Sequence, residues 1–184
     1  MTLLGIGLAL FIGIHMVPSI PALRDAAVNS LGDKGYQGGY SLLSLAGMIL
    51  IVYGMRQAPE VVLWEAPEWS GIVTLVLMPI AFISLTASFA PSSVKSFTRH
   101  PMLWGVTIWA LAHLVANGDV ASLMLFAGLG FFSAIKIFLI GDKKEPNLGE
   151  RMPLKNDIIL VAIGLVVFAL FLYFHEYVSG VSLI

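Results

Sequence analysis

Six apolar stretches decide what this chain can fold into. A helix crossing the hydrocarbon core of a bilayer needs ~20 mostly apolar residues. Segments 3–23, 40–55, 71–91, 101–117, 121–140 and 158–178 meet or approach that length. Of the 21 charged residues, only Lys136 and Glu176 fall inside these limits, each near an end, and the other 19 lie in the gaps. That is the partition expected where hydrocarbon excludes charge. Charged residues make up 11% of the chain and hydrophobic ones 58%, whereas soluble domains carry ~25% charged residues. With 10 Lys+Arg against 11 Asp+Glu, an ordinary soluble domain, a disordered chain and a nucleic-acid binder with a broad basic face are all excluded. The absence of cysteine removes disulfides, thiolate metal sites, iron–sulfur clusters and a cysteine nucleophile. The expected fold is all-α: a polytopic integral membrane protein of six helices in one bundle, a single domain over 1–184, with the lipid bilayer as its surroundings.

Loop charges give an orientation. Arg24, Lys34, Lys95, Arg99, Lys143, Lys144, Arg151 and Lys155 fall on one side, and Arg56 stands by itself on the other. Eight against one predicts that the first side is cytoplasmic and that both termini lie outside. Lys136 then sits at the cytoplasmic end of the fifth helix, where its stem can snorkel. The N-terminal run has no basic flank and no small-residue cleavage site, so it reads as the first membrane helix. The acidic and aromatic stretch 59–69 is expected at the outer interface, where tryptophan is favoured.

Ionisable groups inside membrane helices are costly and mark function. His15 lies 12 residues into the first helix from the outer side, and His113 lies 12 residues into the fourth from the inner side. At ~1.5 Å per residue each is ~18 Å deep, near the middle of a ~30 Å core. Two imidazoles reaching one depth from opposite faces suit a planar cofactor held between them. A plainer reading is open for each: a hydrogen bond to a neighbouring helix, or to a carbonyl freed by Pro18 or Pro21. Spacing does not choose between the two. His100, at the mouth of the fourth helix with Pro101 at its first position, is 13 residues from His113, or ~20 Å along the helix and ~220° around it. The two cannot share a metal from a straight helix. His175, beside Glu176, is expected at the outer interface.

The remaining polar groups read as packing. Ser84, Thr86, Ser88 and Thr107 are expected to bond back to their own helices. Ser41, Ser44 and Gly47 form a small-residue face, and Gly5, Gly7 and Gly13 permit close approach of a neighbour. Asn117-Gly118-Asp119 is a tight outer turn. No H-E-x-x-H, G-x-S-x-G, Walker A sequence or intramembrane carboxylate pair occurs, which argues against hydrolysis and ion-coupled transport.

Two blocks carry a resemblance. FIGIHMVPSIPALRDAAVNSLGDKGYQGGYSLLSLAGMILIVYG and TRHPMLWGVTIWALAHLVANGD together resemble the NnrU family, bacterial membrane proteins associated with denitrification and nitric-oxide metabolism. That family is similar to the 15-cis-zeta-carotene isomerase, which holds haem b and isomerises a polyene by a redox-dependent route. The resemblance implies one haem b with His15 and His113 as axial metal ligands, and a hydrophobic polyene or nitric oxide as the small-molecule partner. It also implies a bacterial inner-membrane location. The haem propionates call for cationic or donor partners, for which Arg24, Arg99 and His100 are the candidates. The isomerase has a cysteine three residues before its second ligand, where this chain has Ala110. No catalytic residue is singled out, and the oligomeric state is left open. A second resemblance is thinner. RHPMLWG is similar to the R-H-P-x-Y-x-G block of membrane methyltransferases that use S-adenosylmethionine. Glu145, Leu148, Gly149 and Glu150 match their C-terminal block only loosely, and its tyrosines are missing.

Overall fold

The computed structural model describes residues 1–138 and 149–181, so Leu139, Ile140, Lys143, Lys144, Glu145 and Leu148 lie outside the described residues. The described chain is helical, and its β-geometry is one isolated bridge between Val62 and Asp119. It divides into two compact units, Met1–Val61 and the residues from Val62 onward.

The first unit is a helical hairpin. Helix α1 spans Thr2–Met16 and helix α2 spans Pro21–Arg56. The apolar run was expected to continue as one helix to Leu23, but Pro18 has no N–H to give and its ring crowds the preceding turn. The chain therefore leaves α1 through a 3₁₀ turn, Val17–Ser19, and restarts with Pro21 at the first position of α2. Residues 24–39 were expected as a loop because Arg24, Asp25, Asp33, Lys34 and four glycines interrupt the apolar pattern. They are helical instead. The good helix formers Ala22, Leu23, Arg24, Ala26, Ala27 and Leu31 carry the helix up to Gly32, and the interruption narrows to that residue (φ 71°, ψ 167°). This is backbone that only glycine adopts readily.

Glycine sets the distance between α1 and α2. A Cβ on Gly7 would lie 2.7 Å from the Ile51 nitrogen, and one on Gly47 would lie 3.0 Å from the Phe11 Cβ. One on Gly54 would overlap the Leu4 backbone. The paired residue numbers in all three contacts add to nearly the same total, which is the signature of one antiparallel register. Gly13, expected to take part, has no atom within 4 Å of its would-be Cβ.

The second unit centres on α3, Ser70–Ala87, which packs against α4, Pro101–Ala116, and against α6, Leu154–Tyr173. Helix α5, Val120–Phe138, packs on α4, and a short α7, His175–Ser179, follows α6. Helices α3 and α4 run antiparallel. Ser84 Oγ donates across to the Pro101 carbonyl at 2.8 Å, rather than back along its own helix as expected, and Thr74 Oγ1 reaches the Ala112 carbonyl at 3.4 Å. Thr86 and Thr107 do bond back, to Phe82 and Leu103. Thr107 also shares a 2.8 Å hydrogen bond with the buried Ser133 of α5. Gly105 and Gly164 let α4 and α6 close on Leu85 and Ile83 of α3.

Among the described residues, five helical stretches are long and apolar enough to cross a membrane: 2–19, Pro21–Arg56, Ser70–Ala87, Val120–Phe138 and Leu154–Tyr173. The sixth expected span, α4, is 16 residues, or ~24 Å, and falls short of that length.

Candidate functional site

His15 occupies the last turn of α1, just before the Pro18 break. Its Nδ1 lies 2.7 Å from the Phe11 carbonyl, four residues back. A carbonyl can only accept, so Nδ1 carries the hydrogen, and in the neutral ring the lone pair is on Nε2. The imidazole is held between the Phe11 ring at 4.1 Å and the Tyr40 ring of α2 at 5.3 Å. Tyr40 in turn faces Tyr36 at 6.3 Å, one turn earlier. A cleft adjoins this stack, lined by Pro18, Arg24, Tyr36, Gln37, Tyr40 and Ser41. Arg24 is half exposed there and meets Asp25 at 3.4 Å. Ser41 therefore belongs to the cleft, while Gly47 does the packing that was expected of the whole small-residue face.

His113 repeats the arrangement in the second unit. It lies in the last turn of α4, and its Nδ1 donates to the Trp109 carbonyl at 2.9 Å, again four residues back. Its ring is stacked on Phe126 at 4.6 Å and 26° and touches Trp109 at 5.1 Å; Trp109 and Phe126 meet edge to face at 4.9 Å. Phe126 belongs to a π-helical turn, Leu123–Ala127, a local widening that often marks functional positions. The turn at 117–119 ties the pieces together. Asn117 donates both its backbone N–H and its side-chain amide to the His113 carbonyl, each at 2.9 Å. Asp119 accepts from the Ser122 N–H at 2.9 Å and so caps the start of α5. Leu63 and Trp64 donate to the Gly118 carbonyl at 2.7 and 3.1 Å. Gly118 is needed for closeness rather than for a turn angle, since a Cβ there would overlap the Trp64 carbonyl.

His100 is the residue that precedes α4, with Pro101 at the first position, and its backbone N–H donates to Thr98 Oγ1 at 3.1 Å. It stands thirteen residues before His113, just ahead of the first residue of α4. Arg99 beside it is exposed. The Arg-His-Pro triplet thus forms the start of a helix. His175 Nδ1 lies 2.9 Å from the Val181 carbonyl and 2.9 Å from Ser179 Oγ. Lys136 lies over the Phe132 ring at 5.7 Å. Ala110, three residues before His113, is fully buried and abuts Gly130 of α5. Among the described residues, no three His, Cys, Asp or Glu side chains gather as a metal site.

A family model for NnrU proteins matches residues 3–183. The chain belongs to the NnrU family. No curated protein and no solved structure is a significant match. The family match covers both histidines of this NnrU protein, the cleft of its first unit and the aromatic cluster of its second. Sequence reading named His15, His113 and Arg24. It missed Tyr40, Trp109, Phe126 and the turn at 117–119 as their supports.

Proposed function

We propose that this NnrU protein is a membrane haem protein that binds one haem b with His15 and His113 as axial ligands. The observation that carries the reading is the repeated form of the two sites. Each imidazole sits in the last turn of an apolar helix. Each donates Nδ1–H to the carbonyl four residues back, and each is flanked by two aromatic rings. Such a hydrogen bond fixes the tautomer, makes Nε2 the coordinating atom and raises its basicity, as partners of metal-ligating histidines do. The aromatic flanks restrict ring rotation. Each imidazole therefore offers an Nε2 donor of the kind that would hold a haem iron.

When bound, haem b in this ligation supplies one-electron redox chemistry. For its propionates we assign Arg24, which reaches the His15 neighbourhood through the shared cleft with Tyr40, together with Arg99 and His100 ahead of α4. The role follows from what the chain offers and lacks. Ala110 provides no thiolate, so a redox part in nitric-oxide metabolism accounts for the residues better than a thiolate-assisted cis–trans isomerisation of a polyene. We place the protein in the bacterial inner membrane with both termini periplasmic, on the eight-to-one distribution of Lys and Arg.

The experiment is an absorption spectrum of protein purified from a haem-replete host. A Soret band with resolved b-type α and β bands on reduction is the expected result. A colourless preparation overturns the proposal.

A further inference from the structure

The cleft of the first unit is built across a hinge. Pro18 and Arg24 come from the chain before Gly32, while Tyr36, Gln37, Tyr40 and Ser41 come from after it. One wall joins the 3₁₀ turn to the first arm of α2 and the other is the second arm, so the kink at Gly32 lies between them. Gly32 takes a φ of 71° and a ψ of 167° with no atom within 4 Å of its would-be Cβ. Nothing crowds this position, so the backbone form rather than packing requires the glycine. A strained residue of this kind at a cleft points towards function.

The lining is rich in hydrogen-bond donors. The Arg24 guanidinium, two phenols, a primary amide and a serine hydroxyl all have hydrogens to offer. Arg24 meets one acid, Asp25, at 3.4 Å, a contact adjacent in sequence and solvent-exposed, a kind of pair that holds a side chain only weakly. The guanidinium keeps an edge for a second anion. Ile20, Leu23, Leu42 and Leu43, within two residues of lining residues in the chain, are all exposed apolar side chains. A charged donor patch in an apolar, helix-rich stretch fits one chemistry, an anionic head on an apolar body.

We propose that the Arg24 cleft binds the anionic head of an amphiphile, a carboxylate or phosphate carried on an apolar body, and that the Gly32 kink holds its walls at the binding distance. Two sources share this chemistry, a haem propionate and the phosphate of an anionic lipid. The proposal rests on the haem reading only where the propionate is the occupant.

The test uses the full chain and two variants, Arg24→Gln and Gly32→Ala, with Lys155→Gln of α6 as a charge-matched control. Binding of phosphatidylglycerol and phosphatidylcholine is read by native mass spectrometry, and retention of haem and of haem dimethyl ester by absorbance. With a lipid occupant, Arg24→Gln and Gly32→Ala weaken phosphatidylglycerol binding about tenfold, and phosphatidylcholine binding and the Lys155→Gln control stay as they were. With a propionate occupant, both variants lower haem retention about tenfold, to the level of the dimethyl ester, whose own retention does not change. Arg24 is exposed, so its loss tests the cleft even if Gly32→Ala folds poorly. If wild-type protein takes up no haem, the haem reading falls and the lipid titration still decides the cleft. Unchanged phosphatidylglycerol binding together with unchanged haem retention in Arg24→Gln overturns the proposal.

Discussion

Gly7 and Gly13 lie on the same helix, and replacing each with alanine should have opposite outcomes. At Gly7 the new Cβ would stand 2.7 Å from the Ile51 nitrogen and 2.9 Å from two Leu50 atoms, the backbone carbon and Cβ. Comfortable carbon contacts begin near ~3.5 Å, so α1 must move off α2 by roughly 0.7 Å. Those neighbours are backbone and a Cβ, which cannot swing aside. Overpacking of this kind costs about 1–3 kcal/mol. At Gly13 no atom lies within 4 Å, so only the helix-propensity gain of up to ~1 kcal/mol remains. That gain is common to both sites and cancels in the comparison. The difference between Gly7→Ala and Gly13→Ala is then the overpacking term, roughly one to two powers of ten in the unfolding equilibrium. Unfolding in mixed micelles with rising dodecyl sulfate, followed by far-ultraviolet circular dichroism, measures it. The expected result is an earlier midpoint for Gly7→Ala and an unchanged or later one for Gly13→Ala. Equal midpoints would refute the antiparallel register in which α1 and α2 are packed.

Gly118→Ala should loosen the hitch between Leu63–Trp64 and the turn after α4, because its Cβ would overlap the Trp64 carbonyl; faster amide exchange at Leu63 and Trp64 is the readout, and protected amides there would contradict it. Removing both hydroxyls of the Thr107–Ser133 pair in a double-mutant cycle should give a coupling of ~0.6 kcal/mol, the average for such bonds in membrane helices. A coupling near zero would mean that the 2.8 Å contact does not hold α4 to α5. His100→Ala should leave most haem bound, since His100 stands thirteen residues from His113, more than three turns along α4. Haem lost from His100→Ala but kept in His113→Ala would move the fourth-helix ligand to the Arg-His-Pro triplet.

The helices were legible because hydrocarbon imposes one rule on every residue: charges go to the gaps. That rule sees only polarity, so it set span limits by charge and ran past the features that other forces decide. It carried the first helix to Leu23, where the missing N–H of Pro18 ends it at Met16. It read 24–39 as a loop because charge is admissible there, while local propensity makes the segment helical up to and beyond Gly32. His15 and His113 stood out as ionisable groups in apolar runs. Their partners did not, because Tyr40, Trp109 and Phe126 look like ordinary apolar residues in a sequence that is 58% hydrophobic. Trp109 and Phe11 had a signal, since each lies four residues before its histidine, where one helical turn brings side chain and carbonyl together. Phe126 had none. Its approach to His113 depends on a π-helical turn, and the hydrophobic pattern across 121–140 does not record where a helix widens. Gly118 was read as a turn former, whereas its smallness is needed against a carbonyl from a loop more than fifty residues away in sequence.

The central claim is the pair of axial histidines, and the direct measurement is the ferrous spectrum and haem content of His15→Ala, His113→Ala and the double variant at matched expression. Each imidazole is positioned by its own helix and its own carbonyl, so removing one leaves the other in place. Each single variant should retain haem in a higher-spin, five-coordinate state that newly binds carbon monoxide. The double variant should lose the haem, because propionate contacts at the aqueous boundary are screened. A double variant that keeps the wild-type low-spin spectrum would show that neither His15 nor His113 ligates the iron.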